Sequence, residues 1–554
     1  MDQDKHDEWK REYEKVTERQ PERRSKFETS SGIPLKPLYT PQDLEGLEYD
    51  RDLGNPCQYP FSRGIYPTMY RTQLWTKRML VGHETPEIFN VRQKRMLEVG
   101  TTGINLIPCN SFMRGCDSDE AEVELLGRCG TTIDSLQDME MALKDIPLDQ
   151  VTLGLNDPGP FIMLAMCIAS AEKQGISRER LRGTSNQSDF ISHYIGCNMF
   201  FRFPLEGHLR MLMDHITFCH QYLPQWNCLS IVGQHVQQGG ATPVQALGFT
   251  LASGIFYVEE GLKAGLKAEE LVPRFTFFFD ASSQFFEEIA KFRAARRMWA
   301  RILRERFGIQ DPRALRLKFH AQTSGAELTA AQPLNNIARV TLQALAAILG
   351  GVQSLHTDAY DEALWSPTEE AARIALMTQN ILAEETGVAD VIDPLGGSYF
   401  LETLTQEVEE RAWQIIAKID ELGGMYQAVK RGYPQKEIAR SAYEQQQRTE
   451  SGEKVIVGVN KYIAFEEDGR TSSPPPEVRH DLIAKQIART RRLKKERDQT
   501  RTREALERLK EVAHGQQGNL FAAVIEAVKA QATQGEITRT LREVYGFGRP
   551  LLTS

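Results

Sequence analysis

The chain has 554 residues, 41% of them hydrophobic and 26% charged, which is enough to bury one large core with smaller appended units. Its formal net charge of −8 gives no electrostatic case for nucleic acid, no run of about 18 apolar residues predicts a membrane span, and the charged N-terminal stretch is unlike a signal peptide. We therefore expect a cytoplasmic protein with no nucleic-acid or membrane partner, whose 8 cysteines form no CxxC pair and are free thiols.

Residues 1–33 are strongly charged and helical in pattern, and they predict an N-terminal helical arm. From residue 34 to 400, short apolar runs alternate with amphipathic helical patterns. The clearest predicted strands are residues 152–155, 229–232, 275–279 and 315–319. This alternation is typical of βα units, and polar residues after several strands favour an α/β fold, a (β/α)8 TIM barrel, over an open sheet.

The rest of the chain predicts two further segments. Residues 401–470 are helical and charged, and we expect them to close the substrate-binding domain. Residues 471–554 begin with a proline-rich break at 472–476 and continue as a basic C-terminal helical extension. Opposite charges four residues apart, such as Glu504 and Arg508, favour a solvated helix or a subunit contact over a nucleic-acid arm.

One group of side chains resembles a metal site. His215 and Cys219 are four residues apart and would share one helix face, with His220 beside them. Apolar neighbours at helical spacing indicate ordinary helix packing instead, so we predict no metal at this position.

Residues 63–78, RGIYPTMYRTQLWTKR, combine tyrosine, tryptophan and methionine with cationic and hydroxyl side chains. Tyrosine and tryptophan can bury a flat apolar body while a polar tip forms a hydrogen bond, and arginine and lysine can bind phosphates or carboxylates. The run therefore predicts a ligand-binding segment.

Further motifs follow this run in a fixed order. They are DSD at 117–119, GQH at 233–235, EIAKFRAARR at 288–297, FHAQTSG at 319–325, QSLHTD at 353–358, DPLGGSY at 393–399 and VIVGVNKY at 455–462. With these motifs, residues 34–462 resemble the substrate-binding chain of the methylmalonyl-CoA mutase family, the adenosylcobalamin-dependent acyl-CoA mutases. The resemblance implies a TIM barrel that shields a radical migration of the CoA-thioester group between neighbouring carbons.

The resemblance also implies a partner. In this family a flavodoxin-like module with an Asp-x-His-x-x-Gly motif binds cobalamin, and that motif does not occur in this sequence. We therefore expect the chain to be the large subunit of a two-subunit mutase, whose small subunit carries most of the adenosylcobalamin. A heterotetramer of two large and two small subunits is the expected assembly.

Site residues follow from the matching positions. The positions that match catalytic residues are His235, Gln234, Gln322 and His320. Those that match acyl-CoA contacts are Tyr66, Met69, Thr76, Arg78, Leu80, Ile107, Thr184, Cys197, Arg274, Thr276 and Arg293. Those that match cofactor-facing positions are Gln353, Asp358, Glu362 and Ala326. His235 follows a predicted strand, where its imidazole can donate to the thioester carbonyl, and the Glu362 carboxylate can accept both ribose hydroxyls.

Departures from the family pattern bear on the substrate. Leu80 replaces a tyrosine of methylmalonyl-CoA mutase, Cys197 aligns with the arginine that pairs with that substrate's carboxylate, and Ile107 replaces an aspartate of 2-hydroxyisobutyryl-CoA mutase. Small residues at Gly196 and Ala326, with Gln234 in place of a tyrosine, are expected to widen the pocket. These changes predict a branched or aromatic acyl-CoA rather than methylmalonyl-CoA.

Three alternatives remain open. Arg114, Arg202 or Arg210 could reach a displaced carboxylate, which would suit a substituted succinyl-CoA and malonyl-CoA pair. The chain could instead be a non-catalytic CoA-binding or assembly subunit, although it retains His235 and Glu362. It could also be a CoA-dependent lyase that shares only the barrel.

Overall fold

The computed structural model describes residues 3–80, 82, 84–197, 201–463, 479–515 and 517–551. The predicted boundary at 470/471 and the proline-rich break at 472–476 lie outside the described residues.

Parallel strands form a closed barrel at the centre of the protein. The strands are β1 (Thr76–Arg78), β2 (Gly103–Leu106), β3 (Thr152–Asn156), β4 (Gly183–Asn186), β5 (Trp226–Asn227), β6 (Leu229–Val232), β7 (Phe275–Ala281), β8 (Phe319–Thr323) and β9 (Ser354–His356). Their order in the sheet is β5-β4-β3-β2-β1-β9-β8-β7-β6, and every pair is parallel. Only Cys228 separates β5 from β6, so these two segments form one barrel strand and close the ring. The predicted TIM barrel is confirmed.

Helices surround this barrel and extend beyond it. The described α-helices are α1 (Gln3–Arg19), α2 (Pro86–Glu98), α3 (Asn110–Arg114), α4 (Leu136–Ala142), α5 (Ile162–Lys173), α6 (Phe190–Ser192), α7 (Leu205–Tyr222), α8 (Gln234–Gln238), α9 (Pro243–Lys263), α10 (Ala268–Leu271), α11 (Phe285–Phe307), α12 (Asn335–Leu349), α13 (Glu369–Glu384), α14 (Tyr399–Glu421), α15 (Met425–Lys430), α16 (Tyr433–Glu450), α17 (His480–Glu496), α18 (Gln499–His514), α19 (Leu520–Lys529) and α20 (Gln534–Tyr545). Within the described part of the chain, no helix combines the length and apolar composition needed to cross a bilayer.

The apolar core lies between the strands and the surrounding helices rather than on the barrel axis. Along β8, the buried Phe319 and Ala321 alternate with the more exposed His320 and Gln322. Phe319 stacks on Phe292 of α11 at a ring-centroid distance of 4.9 Å. Since side chains alternate between the two faces of a strand, the polar side chains of β8 lie on the inner face of the barrel.

One predicted strand is displaced. The predicted segment 315–319 ends where the observed strand begins, because β8 spans Phe319–Thr323. Residues 320–323 read HAQT, and their polar side chains gave no apolar pattern from which to recognise a buried strand. The structure therefore places His320 and Gln322 within a barrel strand rather than after one.

The C-terminal helices pack on the loops that follow β2. Lys494 Nζ of α17 lies 2.9 Å from Asp117 Oδ2, and Thr490 Oγ1 donates to Asp134 Oδ2 at 2.8 Å. Burial and the neighbouring Asp134 carboxylate raise the pKa of Asp117 to about 7. Burial alone would lower the pKa of Lys494, but the carboxylates of Asp117 and Asp119 have the larger effect, so its pKa is raised. These contacts fix the extension to the barrel.

Candidate active site

A polar cavity of ≈ 350 Å³ occupies the inside of the barrel. Side chains and glycines from every barrel strand, or from the residue just before it, line the cavity: Thr76, Arg78, Asn105, Thr152, Gly154, Arg182, Gly183, Thr184, Asn186, Gln225, Asn227, Ser230, Thr276, Lys318, Phe319, His320, Gln353 and Ser354. Most TIM barrels fill this space with branched aliphatic side chains. A barrel with a polar interior is suited to hold an extended polar molecule along its axis.

The aromatic run at 63–78 forms the mouth of this cavity. A second cavity of ≈ 360 Å³ is lined by residues 66–70, 72–76, 352 and 353. The two cavities share Thr76 and Gln353, which lie at the N-terminal ends of β1 and β9. Tyr66 is 40% exposed at the rim, whereas Met69 is buried. The run thus borders the polar cavity, and its role in ligand binding stays a prediction.

Arg78 places a cation inside the barrel with only neutral acceptors around it. Its guanidinium donates to Ile104 O at 2.9 Å and to Thr152 Oγ1 at 2.8 Å, and Nε donates to Ser354 Oγ at 3.2 Å. Burial lowers the pKa of Arg78 to about 10. Among the described residues no carboxylate pairs with this side chain, so it is available to a carbonyl or anionic group of a ligand.

Two further cations line the same cavity and were missed in the sequence. Lys318 Nζ donates to Pro273 O at 2.6 Å and to Asn227 Oδ1 at 3.2 Å, and burial lowers the pKa of its ammonium group to about 8. Arg182 precedes β4 and donates to Gln150 O at 2.8 Å. Both residues directly precede a strand, and a cation at that position reaches the N-terminal end of the barrel. This sequence pattern could have identified Lys318 and Arg182.

His235 lies at the opposite, C-terminal end of the strands. It follows β6 by three residues and belongs to the first turn of α8, which begins directly after Gly233. Its Nδ1 lies 3.2 Å from Ser192 Oγ, and burial lowers the pKa of the imidazole to about 4. The ring is therefore neutral near pH 7 and carries one N–H that can donate to a ligand.

Gln322, Asp358 and Glu362 come together near this end of the barrel. Gln322 Nε2 donates to Asp358 Oδ1 at 3.1 Å, and Thr323 Oγ1 donates to Asp358 Oδ2 at 2.9 Å. His356, which the sequence interpretation gave no role, places Nε2 3.2 Å from Asp358 Oδ1. The oxygens of Asp358 are thus engaged by its own chain, and Asp358 orients Gln322.

Glu362 differs from Asp358 because it is exposed and no described residue donates a hydrogen bond to its carboxylate. Partial enclosure by the surrounding atoms, together with the negative charges of Asp358 and Asp361, raises the pKa of Glu362 to about 8. The group is therefore mostly protonated near pH 7, and hydroxyl donors that occupy its open acceptor positions would favour the ionised form.

The sequence model of the methylmalonyl-CoA mutase family matches residues 28–547. The chain belongs to this family. It is 42% identical to the 2-hydroxyisobutanoyl-CoA mutase large subunit of Aquincola tertiaricarbonis over 96% of this chain and 94% of that relative.

Two methylmalonyl-CoA mutases are also similar. The enzyme of Rhizobium meliloti (strain 1021) is 41% identical over 94% of this chain and 72% of its own length. The mitochondrial enzyme of Homo sapiens is 38% identical over 94% of this chain and 68% of its own length. Family membership confirms the predicted class, an isomerase of the acyl-CoA mutase type, and the family's cofactor is adenosylcobalamin.

The residues at the C-terminal end of the barrel fit this cofactor. The open carboxyl group of Glu362 can accept ribose hydroxyls of the adenosyl group. Ala326 lies in an exposed turn next to Asp358. The preceding residue, Gly325, is close to Asp358, because a Cβ at that position would lie 3.6 Å from Asp358 Oδ2. Gln353 is different. It lies immediately before β9, at the N-terminal end of the barrel, and lines both cavities, so its position groups it with the polar cavity rather than with Glu362.

The predicted acyl-CoA contacts fall into two groups. Thr184 and Thr276 line the polar cavity, and Arg274 lies next to it at the start of β7, where it donates to Leu223 O at 2.7 Å. Arg293 requires a correction. Its side chain is 0% exposed in α11 and pairs with Asp393 and Glu402, so it is enclosed outside the barrel and stabilises helix packing.

The residues that depart from the family pattern lie around the end that carries His235. The Leu80 amide donates to His356 Nδ1 at 3.4 Å. Ile107 lies beside Gly82, two residues after Leu80, since a Cβ on Gly82 would lie 3.3 Å from the Cβ of Ile107. Cys197 ends the short π-helix His193–Cys197, whose first residue has its ring 5.7 Å from that of His235.

Gly196 does not widen the pocket as expected. A Cβ at this position would lie 2.5 Å from the carbonyl oxygen of His235 and 2.9 Å from the amide of Val236. The space left by the missing side chain is therefore filled by the backbone of α8. Gly196 allows the π-helix to pack directly against the helix that carries His235.

The structure brings together two of the three side chains that resemble a metal site, since Cys219 Sγ lies 3.7 Å from both ring nitrogens of His215. The His215 ring stacks on Phe161 at 3.8 Å and His215 Nε2 lies 3.0 Å from Ser185 Oγ, whereas His220 faces Glu270. Asp117, Asp119 and Glu120 lie close enough together to bind an ion, but the ammonium of Lys494 occupies their centre.

Proposed function

We propose that this chain is the large subunit of a two-subunit adenosylcobalamin-dependent mutase that rearranges a branched or aromatic acyl-CoA. The observation that carries the proposal is the polar channel through the barrel. It begins at the aromatic mouth, passes Arg78 and Lys318, and reaches Asn186 at the C-terminal end of β4. An extended CoA chain, with amide groups along its length and phosphates at one end, matches this pattern of polar groups and cations.

Each end of the channel then has a distinct role. Cations at the mouth bind the polar part of CoA, and the lining hydroxyl and amide groups bind the pantetheine chain. His235 donates a hydrogen bond to the thioester carbonyl, and Glu362 accepts the ribose hydroxyls of the cofactor. Adenosylcobalamin, when bound, supplies the radical chemistry. The barrel supplies positioning and excludes water.

A neutral acyl group is favoured because two of the three arginines that could reach a carboxylate, Arg202 and Arg210, are engaged elsewhere. Arg202 is fully buried and donates to Gln534 Oε1 of α20 at 3.3 Å. Arg210 pairs with Asp214 and donates to Gly518 O. With Cys197 and Leu80 near the site, a second carboxylate would be buried without a cation, which costs several kcal/mol.

The small partner is proposed from the relatives. The A. tertiaricarbonis protein is named a large subunit, and this chain covers 94% of it. We propose the same division here, with most of the cofactor contacts on a separate small cobalamin-binding subunit and two copies of each chain in the complex.

The test is reconstitution. The chain is mixed with a small cobalamin-binding subunit and adenosylcobalamin, a panel of acyl-CoA thioesters is added, and isomers are separated and identified by mass spectrometry. We expect rearrangement of a branched or aromatic acyl-CoA and none of methylmalonyl-CoA. Turnover of a dicarboxylic thioester would contradict the substrate assignment, and CoA binding without any turnover would indicate a non-catalytic subunit.

A further inference from the structure

A single hydroxyl group lies between the proposed catalytic histidine and the backbone. Ser192 Oγ is 3.2 Å from His235 Nδ1 and 2.9 Å from the carbonyl oxygen of Asp189. A serine hydroxyl has one hydrogen and can donate it in only one direction at a time. Ser192 therefore either donates to Asp189 O or donates to the histidine ring.

This choice decides the tautomer of His235. If Ser192 donates to Asp189 O, its oxygen can only accept from the ring, so the proton of the neutral imidazole lies on Nδ1 and Nε2 is bare. If Ser192 donates to Nδ1, the proton lies on Nε2. Because burial lowers the pKa of His235 to about 4, the ring does not carry both protons near pH 7.

A thioester carbonyl can only accept a hydrogen bond. Facing a bare Nε2, it would meet a second acceptor, and both groups would lose a partner in a buried site. Among the described residues, Ser192 Oγ is the group within hydrogen-bonding distance of Nδ1. Donation from Ser192 is thus what makes the ring complementary to the thioester.

The position of Ser192 relative to His235 is fixed by a buried carboxylate. Asp189 Oδ2 accepts from the amide of Val232, the last residue of β6, at 2.9 Å, and Asp189 Oδ1 accepts from the amide of Ser192 at 3.3 Å and from the hydroxyl of Tyr257. One carboxylate thus ties α6 to the strand that leads into His235. The hydroxyl can rotate, but its oxygen stays in place.

We propose that Ser192 is a positioning residue that donates to Nδ1 of His235 and thereby keeps the ring proton on Nε2, the nitrogen left for the acyl-CoA thioester. This inference rests on the proposed function, since it presumes that His235 contacts the thioester. It adds a residue that the family motifs do not indicate.

Histidine tautomers can be read directly by NMR. The chain is labelled with ¹⁵N-histidine, and the His235 signals are assigned as those lost in His235→Gln. Spectra are recorded for the free chain and with isobutyryl-CoA, which is not turned over without cofactor. We expect the Nε2–H tautomer in both. A proton on Nδ1 in either state would overturn the proposal.

Variants of Ser192 test whether its hydroxyl determines the tautomer of His235. Ser192→Ala should give a mixture of tautomers and Ser192→Thr should restore Nε2–H. The matched control is Ser188→Ala, which removes a nearby buried hydroxyl that donates to Ser185 O and does not contact His235. It should leave the tautomer unchanged. A spectrum of Ser192→Ala identical to that of the unchanged chain would overturn the proposal.

Kinetics of the reconstituted enzyme separate this role from mere structural support. Loss of a hydrogen bond worth about 1 kcal/mol should lower kcat about fivefold in Ser192→Ala, with KM for the acyl-CoA nearly unchanged and kcat restored in Ser192→Thr. Equal activity of Ser192→Ala would count against the positioning role. If His235→Ala turns over normally, the catalytic assignment fails, whereas the NMR result still decides the hydrogen bond.

Discussion

At the scale of single residues, His235 carries the most specific expectation. His235→Ala removes a donor aimed at an oxygen on which negative charge increases during the rearrangement. Such donors are worth about 100-fold or more in turnover. We expect kcat to fall by about that factor while KM for the acyl-CoA changes by less than about threefold, because the proposed CoA contacts lie along the barrel. Steady-state kinetics of the reconstituted enzyme measure both.

The control for this prediction is His220→Ala, which changes a partly exposed histidine that pairs with Glu270 on the outside of the barrel. It should leave both constants unchanged. Undiminished turnover of His235→Ala would remove His235 from the catalytic assignment.

Glu362 leads to a prediction about pH. Its pKa is raised to about 8 in the folded protein, from an ordinary value of 4.5. A carboxyl whose pKa is raised by folding prefers the protonated form in the native state, so stability is lost as pH rises from about 4.5 towards 8. Glu362→Gln stays neutral throughout. We expect its Tm to exceed that of the unchanged chain at pH 8.5 and to match it near pH 4.5.

Thermal unfolding across this pH range measures the difference. The exposed Glu385→Gln serves as the control and should show no trend with pH. A constant Tm difference for Glu362→Gln at all pH values would mean that folding does not raise the pKa of Glu362. The electrostatic reason for Glu362 to accept ribose hydroxyls would then be lost.

At the scale of secondary-structure elements, Arg293 joins α11 to α14. Its guanidinium pairs with Glu402 of α14 at 2.5 Å and with Asp393, and the side chain is fully buried. Removing one partner of a buried ion pair leaves an uncompensated charge, at a cost of about 3–5 kcal/mol. Arg293→Met should therefore lower the free energy of unfolding by about that amount, as measured by denaturant titration.

The comparison for Arg293→Met is Arg304→Met on the same helix. Arg304 is exposed and lies over the Tyr59 ring at 4.6 Å, so its loss should cost less than about 1 kcal/mol. Should Arg293→Met keep full stability but raise KM for the acyl-CoA, the original assignment of Arg293 as a CoA contact would be restored.

The strands show how far the sequence could be interpreted. The predicted segment 229–232 matches the observed bounds of β6, because three of its four residues are apolar and the whole segment is buried. Residues 320–323 were placed outside a strand, because a strand whose inner face lines a polar channel lacks the apolar alternation on which such predictions depend. The polar interior of the barrel, on which the proposed function depends, therefore also makes its strands hard to recognise in the sequence.

Site prediction was limited for a related reason. Motif matches predict His235, Gln322 and Glu362 as site residues, and the structure places all three towards the C-terminal ends of the barrel strands. Their roles stay predictions. The motif matches could not show that Gln353 lies at the other end of the barrel, nor that Lys318 reaches the channel, because both depend on the register between strands. Arg293 was misassigned because a conserved-looking arginine in a motif carries no sign of whether it faces a ligand or two buried carboxylates.

At the scale of the whole molecule, the channel depends on small and polar side chains from all the barrel strands. Ser230 is buried on β6 and lines the cavity. Ser230→Leu places a side chain of the type usual in other barrels into this space. We expect the Kd for the acyl-CoA to rise at least about tenfold while Tm does not fall, since the added apolar side chain enters an existing cavity.

Isothermal titration with acyl-CoA and thermal unfolding test this variant together. Ser230→Ala, which removes the hydroxyl without adding bulk, should bind nearly as well as the unchanged chain. Unimpaired binding by a stable Ser230→Leu protein would show that CoA does not pass along the barrel axis.

The hollow barrel has a consequence for how the substrate can be found. A protein whose central cavity of ≈ 350 Å³ is filled by its ligand rather than by its own side chains gains stability when that ligand binds. Ligand at about 100 times its Kd adds about 2.7 kcal/mol. The increase requires neither the cofactor nor the small subunit. Melting this one chain against a library of acyl-CoA thioesters should therefore rank candidate substrates before any catalytic assay exists.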